Sequence, residues 1–202
     1  MTPSRDAAEI EELIARYGPT LQRECQVDLD DRGYAYWWQA TALVRRAEVV
    51  MVVQRPDGRL LLHSKDHYPP ATYRLPTGGV RRGEPVLSAL ARELWEELGL
   101  HLSPSAMPGL VRYALRYQGQ TVSFASFVFF LRAEAEARLL PQDPCEAISE
   151  LCWVESGKLP EVSNQLRQVN RAWGGWGPYR AIVHDLVSDV LKPGSEVESL
   201  ER

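Results

Sequence analysis

The spacing of apolar positions changes several times along the chain, and each change marks an element. Between Asp6 and Tyr17, apolar side chains at Ala7, Ile10, Leu13, Ile14 and Tyr17 follow the 3.6-residue period of a one-sided helix, which Gly18-Pro19 stops. Thr20–Tyr36 is mixed and polar and reads as a connector or a short strand pair. From Tyr36 the residues become aromatic and β-branched: Tyr36-Trp37-Trp38, Ala40–Val44 and Ala47–Val53 predict strands. Pro56-Asp57-Gly58 then turns the chain back into Arg59–His63 as a hairpin. Pro69 and Pro70 preclude regular structure in the loop Ser64–Tyr73. Further on, Leu110–Tyr117 and Thr121–Leu131 predict strands around Gln118-Gly119-Gln120, and Glu150–Glu155 a third, before a loop at Ser156–Pro160. Val162–Ala172 reads as a helix broken by Gly174-Gly175. Tyr179–Leu191 reads as a terminal helix with Ile182, Leu186 and Val190 on one face, and the polar stretch Lys192–Arg202 is expected to fray.

The most informative helix lies in the middle. Leu87, Leu90, Ala91, Leu94 and Leu98 form its apolar stripe, Pro85 suits a first helical position, and Gly99 suits a left-handed terminus. Its other face carries Glu93, Glu96 and Glu97, which at 3.6 residues per turn fall within an arc of roughly 100°. The Glu93/Glu97 repulsion costs about 0.2–0.5 kcal/mol, and anions are disfavoured at the C-terminal end of a helix. One reading is a solvated charged face on which Arg92 offsets Glu96; the other is a site for a hard divalent cation, which needs clustered carboxylate oxygens. On the first reading, Glu93 and Glu97 point to solvent. Asp28, Asp30 and Asp31 beside Gly33 read as a polar turn rather than a metal loop.

Gly78, then Glu84 after five residues, then Arg92-Glu93-Leu94-Trp95-Glu96-Glu97-Leu98-Gly99-Leu100 after seven, resembles the Nudix box at every fixed position; the motif spans 23 of 202 residues. The resemblance implies an α/β/α sandwich around a mixed β-sheet, and metal-dependent hydrolysis of a nucleoside diphosphate linked to another group. It also implies Mg²⁺ or Mn²⁺ held by Glu93, Glu96 and Glu97, with the carbonyl of Thr77 as a further ligand, and a catalytic role for Glu93 or Glu97. Glu146 and Glu150 are candidates for a general base outside the box, with a solvated loop as the alternative. Gly78 allows close approach of backbone to a metal or phosphate, and Glu84 and Arg92 read as a pair that orients Glu93.

Length and composition fit one domain with extensions. The 202 residues are 45% hydrophobic and 25% charged, enough for a single core. The boundaries expected are an N-terminal extension over 1–36, a candidate lid or homodimer arm, a Nudix domain over 37–160, and a C-terminal helical segment over 161–202. A net charge of −4 leaves no basic footprint for a long nucleic acid. The N-terminal stretch has no apolar signal core, and Ser123–Leu131 is too short to span a bilayer, so no membrane segment is expected. Cys25, Cys145 and Cys152 have no metal or redox spacing and suggest buried thiols in the cytoplasm.

Substrate selection lies outside the motif. Tyr117 falls near the position where a tyrosine accompanies dinucleoside-polyphosphate specificity in relatives. Arg74 and Trp176 are further candidate contacts, the latter with Trp173 and Tyr179 as stacking surfaces or, alternatively, as packing for the terminal helix. His63, His67, His101 and His184 have no ligand spacing and read as incidental. Three functions stay open: a pyrophosphohydrolase of small nucleotide substrates such as nucleoside triphosphates, nucleotide sugars or dinucleoside polyphosphates; a non-catalytic nucleotide sensor; and an RNA 5′-end pyrophosphohydrolase.

Overall fold

The run Val49–Val53 is apolar on both alternating sets of positions, as a strand covered on both faces requires. The computed structural model, which describes residues 5–35, 44–169, 173 and 175–192, makes this strand, β2 (Arg45–Gln54), central to the fold. Val49, Met51 and Val53 point to one side of the sheet and Val50 and Val52 to the other. The remaining strands are β1 (Leu21–Asp28), β3 (Leu60–Lys65), β4 (Thr77–Arg81), β5 (Pro104–Tyr117), β6 (Gln120–Arg132) and β7 (Ile148–Val154). They form a mixed seven-stranded sheet in the order β1-β5-β6-β2-β3-β7, with β4 paired to β2 off this path. Pairs β1/β5 and β6/β2 are parallel, and the others antiparallel.

Helices cover both faces. On one side, α1 (Arg5–Tyr17) contributes Ile10, Leu13, Ile14 and Tyr17, and α3 (Val86–Leu98) packs Leu90, Leu94 and Leu98 against Met51, Phe127 and Phe129. On the other, α4 (Leu159–Arg167) and α5 (Trp176–Val190) pack Leu166, Tyr179, Val183 and Leu186 over Val52, Tyr113 and Val128. This is the α/β/α sandwich expected. α2 is the single turn Asp31–Gly33, capped by the Asp30 carboxylate accepting from the Gly33 N–H. No helix among the described residues is long and apolar enough to cross a membrane.

Several local expectations need correction. Thr20–Tyr36 contains one full strand, β1, whose partner is the distant β5. Thr77-Gly78-Gly79-Val80-Arg81, with two glycines and no period, is strand β4. Ser156–Pro160 is a 3₁₀ turn leading into α4, with Pro160 in the first helical turn where a missing N–H costs nothing. In α3, Pro85 is the N-cap rather than the first helical residue, while Gly99 does adopt the left-handed conformation (φ 68°). Ala89 rather than Ala91 faces the core. The three cysteines are free, and Cys145 is exposed rather than buried. The strand expected over Tyr36–Trp38 and all of that expected over Ala40–Val44 except Val44, which lies in a turn, fall outside the described residues, as do 170–172 and the polar tail from 193 onward.

Candidate metal centre

The largest departure from the pattern expected of the sequence is the acidic face of α3. Glu93 is 5% and Glu97 1% exposed, so neither faces solvent. Glu93 lies over β4: a Cβ on Gly78 would stand 1.9 Å from the Glu93 Cγ, so only glycine leaves room for the glutamate stem. Arg92 anchors the outer edge. Its guanidinium donates to both Glu84 oxygens (2.9 and 3.0 Å), to Glu93 Oε1 (2.7 Å), to Glu96 Oε2 (2.8 Å) and to the Gly79 carbonyl (2.8 Å). Glu96 is therefore turned toward Arg92.

Glu146 arrives from a segment about fifty residues further along the chain. The 3₁₀ turn Pro144–Glu146 is capped by Asp143, and the N–H groups of Gln142 and Asp143 donate to the Glu96 carbonyl (2.9 and 3.1 Å). Unsatisfied carbonyls at the C-terminal end of α3 thus hold the segment that delivers Glu146. Ligand oxygens of Glu93, Glu97 and Glu146 all lie within 4.8 Å of one another. Lys65, at the end of β3, donates to Glu97 Oε1 (2.8 Å) and Glu146 Oε2 (2.5 Å).

The electrostatics follow from burial. Desolvation pushes the Glu97 carboxyl up to about 7 despite the nearby Lys65 and Arg74. It also raises Glu93 against the pull of Arg92. Burial would raise Glu146, but Lys65, with Glu97 and Arg45 adding to it, holds its carboxyl low. Burial would depress Lys65, but the Glu97 and Glu146 carboxylates keep it raised. His63, two residues before Lys65 and on the same face of β3, is fully buried; Nδ1 stands 3.8 Å from Glu97 Oε2. Burial and the surrounding cations hold it neutral. Neither its ring nitrogens nor Glu97 Oε2 has a hydrogen-bond partner among the described residues. Three hard oxygen ligands, two carboxyls raised by lack of solvation and an orphaned buried carboxylate oxygen together fit a divalent ion of the Mg²⁺ or Mn²⁺ type.

The cluster opens into a cleft of ≈ 230 Å³ walled by Arg45, Arg74, Arg180 and Thr77. Arg74 is buried and donates to Tyr68 Oη (2.6 Å), the Leu75 carbonyl (2.9 Å) and Thr77 Oγ1 (2.7 Å). Arg180 of α5 pairs with buried Glu48 (2.6 Å) and reaches Thr77 Oγ1 (3.4 Å). His184, also fully buried, accepts from the Leu75 N–H through Nε2 (2.9 Å). A larger cleft of ≈ 560 Å³ opens around Ile10, Glu24, Arg112 and Phe127, but the carboxylate cluster and its cations are not part of it.

Of the residues singled out from sequence, Glu93, Glu97, Glu146, Thr77, Gly78 and Arg74 line the cleft. Glu84, Arg92 and Glu96 form its outer buttress. Glu150 is exposed on β7 and accepts from Tyr73 Oη (2.6 Å). Tyr117 stacks on Tyr34 (ring centroids 4.0 Å apart) and donates to Asp31, at the far end of β5. Trp176 is buried behind Tyr68, with centroids 4.9 Å apart. Lys65, His63, Arg45, Arg180 and Glu48 were not legible as site residues: Lys65 fell in the loop expected over Ser64–Tyr73, although β3 extends to Lys65, and His63 read as incidental.

A region of the chain is 33% identical over 73 residues to an RNA pyrophosphohydrolase of Psychrobacter cryohalolentis, covering 36% of this chain and 41% of that protein. Another is 37% identical over 90 residues to a putative 8-oxo-dGTP diphosphatase 2 of Mycobacterium tuberculosis, covering 45% and 58% respectively. The chain thus spans about two-fifths to three-fifths of the length of these relatives. Among solved structures, a MutT protein from Methanosarcina mazei superposes with a TM-score of 0.45 at 17% identity, covering 71% of this chain and 90% of that one. The profile described as NUDIX domain matches residues 44–173, well over half of the chain. That span contains the glycine-floored helix, the Arg92 buttress and the turn that delivers Glu146, and the chain belongs to the NUDIX domain family.

Proposed function

We propose that the protein is a metal-dependent hydrolase that cleaves a pyrophosphate linkage in a small nucleotide, with Glu93, Glu97 and Glu146 holding Mg²⁺ or Mn²⁺. The observation that carries this reading is the convergence of three carboxylate oxygens within 4.8 Å of one another at a cleft walled by cationic side chains. A divalent ion there supplies charge neutralisation for the diphosphate and makes the attacking water more acidic. The chain's own groups do the rest. Arg45, Arg74 and Arg180 receive the anionic phosphates, and the buried Glu48 partner fixes the direction of Arg180. One carboxylate must take the proton of the attacking water. Glu93 is best placed for this, because Arg92 orients it, whereas Glu97 and Glu146 share Lys65.

The two relatives bear the names of an RNA pyrophosphohydrolase and a putative 8-oxo-dGTP diphosphatase, both enzymes of phosphoanhydride bonds. The net charge of −4 favours a small nucleotide over an RNA end, and the three free thiols accord with a cytoplasmic setting. The test is phosphate and nucleotide release from nucleoside triphosphates, nucleotide sugars, dinucleoside polyphosphates and 5′-triphosphorylated RNA, with Mg²⁺, Mn²⁺ or a chelator. Chelator-sensitive turnover of a small nucleotide, lowered more than about tenfold by Glu97→Gln, is expected. Turnover of the RNA alone would select the RNA-end reading, and nucleotide binding without turnover the sensor.

A further inference from the structure

The carboxylate cluster already contains a cation. Glu97 is buried on α3 and Glu146 stands on the Pro144–Glu146 turn, yet the ammonium of Lys65 touches both, at 2.8 and 2.5 Å. Lys65 is itself only 8% exposed, so this contact is not a solvent-facing surface pair. Arg92 already compensates Glu93. Arg92 thus serves the Glu93 side of the cluster and Lys65 the Glu97–Glu146 side.

We infer that Lys65 is the resident counter-ion of the metal centre: it holds Glu97 and Glu146 at ligand spacing in the metal-free protein and is the group a divalent ion displaces. The inference rests on the metal-dependent reading above. Glu97 Oε1 and Glu146 Oε2, the atoms Lys65 occupies, belong to residues whose carboxylates make up the candidate ligand set. An ammonium and a divalent ion within one such carboxylate cluster repel each other strongly at these distances. A lysine suits this role better than arginine, being a compact charge on a flexible four-carbon stem. The adjoining cleft, which Lys65 also lines, is where the displaced ammonium goes. It stays protonated throughout; only its partners change.

The test is Mn²⁺ binding, by calorimetry and by the electron paramagnetic resonance of free Mn²⁺, to wild type, Lys65→Met and Lys65→Arg. A counter-ion predicts that Lys65→Met binds Mn²⁺ about tenfold more tightly and that its chelated form has the lower thermal midpoint. It also predicts that Lys65→Arg, which keeps the charge, does not gain affinity. A purely structural lysine gives the opposite sign: weaker Mn²⁺ binding in Lys65→Met, or none different from wild type, would overturn the inference and leave the metal-dependent reading standing. Absence of Mn²⁺ binding to wild type and both variants would overturn both.

Wild-type protein supplies a second measurement that needs no variant to fold. The side-chain ammonium resonance of Lys65 in ¹⁵N NMR spectra, sheltered by two carboxylates in chelator, is expected to shift and broaden through solvent exchange as Mg²⁺ saturates the site. An unchanged, sheltered resonance at saturation would overturn the displacement.

Discussion

Replacing Glu97 with glutamine in chelated protein isolates the energetic cost of the cluster. The Glu97 carboxyl binds its proton more tightly in the folded protein, at about 7, than in the unfolded chain, where the ordinary value is 4.5. Burial is the dominant cause, opposed by Lys65 and Arg74. Because the folded value is the higher one, folding takes up a proton between these limits. The stability linked to Glu97 is therefore complete below about pH 4.5 and is lost as the pH rises through about 7. A difference of about 2.5 pH units at about 1.4 kcal/mol per unit gives a full loss of about 3.5 kcal/mol, most of it above pH 4.5. Glu97→Gln has no such proton to lose. Urea unfolding in chelator from pH 4.5 to 8 is expected to show the variant gaining on wild type by about 3 kcal/mol across that range. His63 and His184 have the opposite dependence, because their depressed folded values lose stability as the pH falls below 6.5. Both are present in the two proteins, so they cancel to first order in the difference. A difference that stays constant with pH, or grows toward acid, would refute the burial argument.

Other perturbations probe the remaining parts of the site. Gly78→Ala drives a methyl group into the stem of Glu93; it should cost about 1–3 kcal/mol in urea unfolding and lower hydrolysis more than about tenfold by moving that carboxylate. Leu94→Asp places a charge at a position with no solvent exposure and should abolish the cooperative thermal transition seen by circular dichroism. Glu150→Gln alters an exposed side chain outside the cleft; turnover within about twofold of wild type is expected, and a tenfold loss would return Glu150 to the chemistry.

The sequence showed the helix α3 almost to the residue because its signals are local: a proline at the start, a glycine at the end and leucines at helical spacing between them. The hairpin β2–β3 and the pair β5–β6 were legible as apolar runs joined by a turn, although β5 begins at Pro104, six residues before the expected strand. What escaped were features created by contacts distant in the chain. β1 is a strand because β5, more than eighty residues away, offers it a parallel edge. β4 is a strand because β2 accepts it, although its own residues include two glycines. Lys65, Arg180 and Glu48 gave no signal, since a lone cation or acid reads as surface until the fold buries it beside a partner.

The same distinction explains why the physics of the helix alone misplaces its acidic face. Within an isolated helix, Glu93 and Glu97 repel each other and oppose the dipole, so solvent exposure is the lower-energy arrangement. The fold changes the comparison by bringing cations from four separate segments: Arg45 from β2, Lys65 from β3, Arg74 from the approach to β4 and Arg180 from α5. Even so, Glu97 retains a carboxyl raised to about 7 and an oxygen without a hydrogen-bond partner among the described residues. Cations from the chain therefore compensate the cluster only in part, and the remainder is differential affinity available to a metal. Because the unfolded chain does not gather Glu93, Glu97 and Glu146, a divalent ion that binds them stabilises the folded state, by about 2.7 kcal/mol at a hundred times its Kd. Chelation should accordingly lower the thermal midpoint of the wild type, and should do so less in Glu97→Gln, where one ligand has lost its charge. Equal shifts in the two proteins would place the ion elsewhere.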